Sequence, residues 1–152
     1  MLPPRLFRFC SRLFVATYGR WPLFGELRSS IAIVRRGELF LLQRRSDDLG
    51  WAFPGGTAFF WETEEQTLRR ELREETGVEA RSLRLLFVYR DCHFVPSRIS
   101  VFAVEAEGEL RSSWEGEARW MPLADAIPEF FAAQQVVLDY LEGRSVPLES
   151  AP

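Results

Sequence analysis

Three glutamates, Glu71, Glu74 and Glu75, recur at i, i+3 and i+4 in a stretch that reads as a helix, a spacing that projects three carboxylates from adjacent turns of one face. Carboxylates this close repel one another, and a folded chain keeps them together when a cation offsets their charge. Hard divalent ions such as Mg²⁺ take oxygen ligands and usually work on phosphates. The chemistry these residues point to is a carboxylate-held metal aimed at a phosphate-bearing substrate. Just upstream, Pro54-Gly55-Gly56 reads as a sharp turn where backbone approaches a ligand closely.

The elements that must position these groups lie on either side of them. The acidic helix opens at Thr63, with Gln66 three residues on as a capping box, and stops at the C′ glycine Gly77. Leu68 and Leu72 form an apolar stripe beside the acidic one, so the helix packs inward while its carboxylates face a cleft. Strand-like runs at residues 30–34 and 39–42 meet at Arg36-Gly37, a hairpin signal, and 46–50 is a polar loop. Further strands are expected at 83–90, 99–106 and 118–121, a last helix at 128–141, and a frayed tail after Gly143. This order predicts an α/β fold, a mixed sheet with helices on both faces.

Read as GTAFFWETEEQTLRRELREETGV, residues 56–78 resemble the signature of the Nudix hydrolases, G-x5-E-x7-R-E-U-x-E-E-x-G-U with U a bulky aliphatic residue. Every constrained position is filled: Gly56, Glu62, Arg70, Glu71, Leu72, Glu74, Glu75, Gly77 and Val78. Nine restricted positions at fixed spacing make a far more specific signal than a lone glycine-rich motif. The resemblance implies a Nudix-type α/β/α sandwich over residues 29–143, preceded by an added N-terminal helix and linker (1–28) and followed by a tail (144–152). It also implies Mg²⁺-dependent cleavage of the diphosphate bond in a nucleoside diphosphate linked to another moiety, with Mn²⁺ as a substitute ion. Carried over residue by residue, it assigns the metal to Glu71, Glu74 and Glu75 with the Gly56 carbonyl as an extra ligand. Arg70 would orient a glutamate through a salt bridge, and Glu62 would support the loop–helix geometry.

The general base varies among such enzymes between a helix glutamate and one in a later loop. Here the outside candidates are Glu115 and Glu117, of which Glu115 fits best, set against an ordinary polar loop. Glu64 and Glu65, in the first helical turn, read as solvated acids favoured by the helix dipole. Phe59, Phe60 and Trp61 depart from the glutamate and glycine many relatives carry there, making this loop bulky and apolar. Two other readings stay open beside the hydrolase. One is a non-catalytic Nudix domain that senses a nucleotide; the other is a prenyl diphosphate isomerase, for which Cys92 is the available thiol.

For substrate contacts, Arg44 or Arg45 suits a bidentate phosphate clamp, with alternation putting the two on opposite faces. Trp51 and Phe53 either stack a base or belong to the core, and His93, the only histidine, contacts substrate or has no role. With a single histidine and no patterned serine, the sequence carries no signal for a Ser-His-Asp site. The net charge of -3 and a pI near 5.3 give no basic footprint for an extended nucleic acid, which leaves a small nucleotide-type substrate. All 19 basic residues are arginine, so phosphates must be held by arginine, backbone or metal. Cys10 and Cys92 lack disulfide or metal spacing, which points to a cytoplasmic location, and the N-terminal stretch lacks the small-residue cleavage site expected for export. Residues 1–25 place Arg5, Arg8 and Arg12 opposite Leu6, Phe9, Cys10, Leu13 and Phe14 on a helical wheel. Such a stretch packs on its own domain or a homodimer partner, lies on a membrane surface, or serves as a transit peptide, the first being favoured.

Overall fold

The computed structural model describes residues 25–45, 48–92, 95–111 and 116–147. Among them run seven strands: β1 (Leu27–Arg36), β2 (Leu39–Arg45), β3 (Trp51–Ala52), β4 (Gly55–Thr57), β5 (Glu79–Asp91), β6 (Ser97–Glu107) and β7 (Gly116–Pro122). Three helices join them: α1 (Glu64–Thr76), the short α2 (Leu123–Ala126) and α3 (Gln135–Leu141). The predicted N-terminal helix, with Cys10, and also His93 and Glu115 lie outside the described residues.

The sheet is mixed, in the order β3-β2-β1-β6-β5, with β4 on β1 and β7 on β2. Its central strand β1 runs parallel to β6 over residues 27–34 and turns at its far end into an antiparallel hairpin with β2. Residues 30–34 of β1 are buried without a break, as expected of a strand covered on both faces. Alternation then divides them. Ile31 and Ile33 pack with Trp51, Phe53, Tyr89, Val137 and Leu138 on the α3 side, whereas Ala32 and Val34 pack with Leu68, Leu72 and Val78 on the α1 side. Helices thus cover both faces of one mixed sheet, the expected α/β/α arrangement.

Helix α1 has the predicted ends. The Thr63 hydroxyl accepts from Gln66 N while the Gln66 side chain accepts from Thr63 N, and Gly77 closes the helix at φ 78°. Leu68 and Leu72 are fully buried, fixing which face of α1 looks outward.

Two expectations need correcting. Pro54-Gly55-Gly56 is more than a turn: after a bend at Pro54 the two glycines enter β4, with Gly55 opposite Ile31 and Gly56 opposite Ser30. The last helix does not run from 128 to 141. Short 3-10 turns at Ile127–Glu129 and Ala132–Gln134 precede it, with Phe130 extended between them. That break has a partner in β3: Phe130 bridges Trp51, Phe131 N donates to the Trp51 carbonyl, and the buried Gln134 amide both donates to and accepts from the Phe53 backbone. These bonds satisfy buried backbone that a continuous helix would leave without partners.

Candidate functional site

Where α1 crosses β4, helix carboxylates press directly on glycine backbone. Glu75, buried, accepts from Gly55 N at 2.9 Å. A Cβ on Gly56 would overlap the Glu71 carboxylate, and one on Gly55 would overlap the Ser30 carbonyl of β1. The paired glycines are required by this close approach, which lets two acids of α1 reach the strand.

Arg70 ties the arrangement together. Its Nε and Nη2 form a fork on the Glu62 carboxylate at 2.8 and 3.0 Å. Nη1 donates to Glu71 at 2.8 Å and, more weakly, to Glu74 at 3.4 Å. Glu62 also accepts from Phe59 N and from the Thr67 hydroxyl. With four donors, chief among them the Arg70 guanidinium, its carboxyl is held at about 2, well below the ordinary 4.5, although burial opposes the shift. The same pair pushes the Arg70 guanidinium further up. Glu62 is only 10% exposed while Glu74 is 53% exposed, so the cluster grades from a buried structural end to an open one.

One guanidinium therefore faces three carboxylates, Glu62, Glu71 and Glu74, with Glu75 close behind on the same helix face. Negative charge exceeds positive here, and a further cation is favoured. Among the described residues no group of three or more His, Cys, Asp or Glu is drawn together as a metal-binding set. Arg70 Nη1 instead bridges Glu71 and Glu74, drawing both carboxylates toward the guanidinium. The donors nevertheless suit a hard divalent ion. All are oxygens, Glu71, Glu74 and Glu75 share one face of α1, and the Gly56 backbone leaves the space beside Glu71 that a side chain would fill.

The structure places the remaining sequence candidates elsewhere. Trp51 is buried in the core on the α3 side, with the guanidinia of Arg44 and Arg119 near its ring. Arg44 pairs with Glu129 at 2.8 Å, and Arg45 lies over the Phe131 ring, so the two do take different directions. Phe53 is buried in the same core. Glu117 is exposed and pairs with Arg119 at 2.7 Å. Glu64 is not the solvated acid expected: it is half-buried, 3.6 Å from Arg28 and 3.8 Å from Arg98. Glu65 is exposed, as expected.

Several contributors were not singled out from the sequence. Arg28, on β1, donates to the Glu62 carbonyl at 2.9 Å and to the Phe59 carbonyl at 3.4 Å, clamping the loop between β4 and α1. Its separation from that loop, more than 30 residues, leaves no local pattern to read. Thr67 had a signal, a hydroxyl one turn after the N-cap; Phe59, noted in the sequence only as a departure from the family pattern, sets its ring 4.5 Å from Arg70 Cζ.

Comparison with known proteins identifies the family and the fold. The family model of the NUDIX domain matches residues 26–141. Among curated proteins, the chain is 34% identical over 86 residues to the CMP-5'-(N-acetyl-N-hydroxy-3-aminopropyl)phosphonate hydrolase of Streptomyces rubellomurinus, an alignment covering 53% of this chain and 42% of that protein. The chain thus spans less than half the length of that relative. Among solved structures, it is similar to the E. coli ORF135 protein, with 26% identity, a TM-score of 0.65 and coverage of 78% of this chain and 89% of that one. It shares its fold with the MutT NUDIX hydrolase from Burkholderia pseudomallei, at 24% identity, a TM-score of 0.66 and coverage of 75% and 96%.

Proposed function

This chain belongs to the Nudix family, and from that premise we propose that it is a Mg²⁺-dependent pyrophosphohydrolase cutting the diphosphate bond of a nucleoside diphosphate linked to another moiety. The observation that carries the reading is the contact of Glu71 with Gly56 and of Glu75 with Gly55, which brings a hard-oxygen donor set against backbone in a negatively charged corner. In this reading Glu71, Glu74, Glu75 and the Gly56 carbonyl hold the ion, with Mn²⁺ as a substitute. A divalent ion held by these residues would supply charge neutralisation for a departing phosphate and would lower the pKa of an attacking water. Arg70 positions Glu71 and Glu74 and is itself anchored by Glu62. A carboxylate, from Glu74 on α1 or from Glu115 in the segment before β7, takes the proton of the attacking water. No covalent nucleophile is required, in keeping with the absence of lysine and the single histidine.

The substrate class draws support from the curated relative, whose name describes hydrolysis of a CMP-linked phosphonate, a nucleotide joined to another group. The acidic chain, with arginine as its only strong cation, suits a small nucleotide better than a polynucleotide. No helix among the described residues is long and apolar enough to cross a membrane, and a cytoplasmic location remains part of this proposal.

The test is phosphate and nucleotide release from nucleoside triphosphates, nucleotide sugars, ADP-ribose and dinucleotides, each with Mg²⁺, Mn²⁺ or EDTA. Turnover with a divalent ion, abolished by EDTA and lowered at least about a hundredfold in Glu75→Gln, is expected. Metal-independent turnover, or full activity in Glu75→Gln, would refute the assignment. Nucleotide binding without turnover in any metal would favour a sensor instead.

A further inference from the structure

The loop between β4 and α1 carries three consecutive aromatic residues turned toward solvent. Phe60 is 88% and Trp61 65% exposed, and Phe59 is exposed beside them. They are organised among themselves: Phe59 and Trp61 stack at 5.0 Å and 14°, and Phe60 meets Trp61 edge-on at 4.5 Å. Exposed rings on a slack loop would collapse onto the nearest apolar surface, but this loop is pinned at every turn. Ala58 N donates to the Arg28 carbonyl, Arg28 donates to the carbonyls of Phe59 and Glu62, and Phe59 N donates to the Glu62 carboxylate.

We propose that Phe60 and Trp61 form a stacking platform for the base of the nucleotide, a subsite beside the carboxylates of α1. The inference rests on the hydrolase reading for the identity of the ligand, though not for the existence of the platform. Three observations select this occupant. Arg70 touches both the Phe59 ring and the Glu71 carboxylate, so a single guanidinium separates the aromatic cluster from the metal-type donors. A sugar between phosphate and base spans a separation of that order. The residues are aromatic without exception, and flat rings offer a π face to any base without demanding its hydrogen-bond edge. The area is also small: three rings at these exposures present on the order of 400 Å². A stable protein partner needs about 800 Å² from each side, so the patch by itself is sized for a small ligand rather than a second copy of the chain.

The experiment is isothermal titration of the full chain, in Mg²⁺, with CMP, AMP and inorganic pyrophosphate. It is run on wild type, Phe60→Ala, Trp61→Ala and Trp61→Phe. Neither position belongs to the carboxylate–arginine cluster. Each alanine variant should weaken both nucleotides about tenfold and leave pyrophosphate unchanged, while Trp61→Phe recovers most of the loss. Where turnover is measured, KM should rise by a similar factor at constant kcat. Equal nucleotide affinity in all four proteins would overturn the platform, as would parallel weakening of pyrophosphate or no nucleotide binding to wild type. A wild-type dimer in sedimentation that Trp61→Ala dissociates at unchanged nucleotide affinity would likewise overturn it, assigning the loop to self-association. If nucleotides bind through Trp61 but are never hydrolysed, the platform stands and the hydrolase reading fails.

Discussion

Replacing Glu62 by glutamine should cost stability in a way that depends on pH, with a sign the structure dictates. The carboxylate accepts a two-point fork from Arg70 and single bonds from Phe59 N and the Thr67 hydroxyl. Its carboxyl is held at about 2 against an ordinary 4.5, which corresponds to about 3 kcal/mol favouring the folded, ionised form. Water at the rim of this site screens part of that, leaving about 1–2 kcal/mol. Because the folded value is depressed, the contribution is fully present above pH 4.5 and drains away as pH falls from about 4.5 toward about 2. The charged groups facing this pair, Glu71 and Glu74 on Arg70 and Arg28 at the loop, are common to both proteins and largely cancel in the comparison. Glutamine keeps the shape and loses the charge. Urea unfolding followed by circular dichroism should therefore place Glu62→Gln about 1–2 kcal/mol below wild type at pH 7, with the gap narrowing steadily by pH 3. A gap that stays constant, or widens on acidification, would refute the view that the ionised Glu62–Arg70 fork anchors this loop.

Gly56→Ala should lower turnover more than stability, because the new methyl overlaps the Glu71 carboxylate rather than the core; metal-dependent rates against the unfolding midpoint separate the two effects. Leu72→Ala, on the buried face of the same helix, should do the reverse. Removing that fully buried side chain costs about 2–5 kcal/mol in urea unfolding.

Much of the site was readable from spacing because a helix converts sequence intervals into geometry without outside help. Glu71, Glu74 and Glu75 had to share a face, Thr63 and Gln66 had to cap, and Leu68 and Leu72 had to turn inward. What local periodicity cannot report is which distant backbone fills a gap. The stretch at 128–141 has helical patterning, yet Phe130 is extended because Trp51 and Phe53 supply hydrogen bonds across some eighty residues of chain. Glu64 has the look of a helix-dipole acid on the surface and instead sits between Arg28 of β1 and Arg98 of β6. Trp51 and Phe53, ambiguous between stacking and core, went to the core because β3 is enclosed by the 130–138 segment.

From residue types and intervals alone came the family, the mixed sheet with helices on both faces and the acidic face of one helix, since each depends on short-range periodicity or on a motif of fixed spacing. Tertiary structure decided how that face is used. It set Glu71 and Glu75 on the glycines of β4, placed Arg70 between Glu62, Glu71 and Glu74, and left the aromatic loop pinned open beside them. These contacts join β1, β4 and α1, and their energies come from close approach and desolvated charge, which exist only once the strands have met.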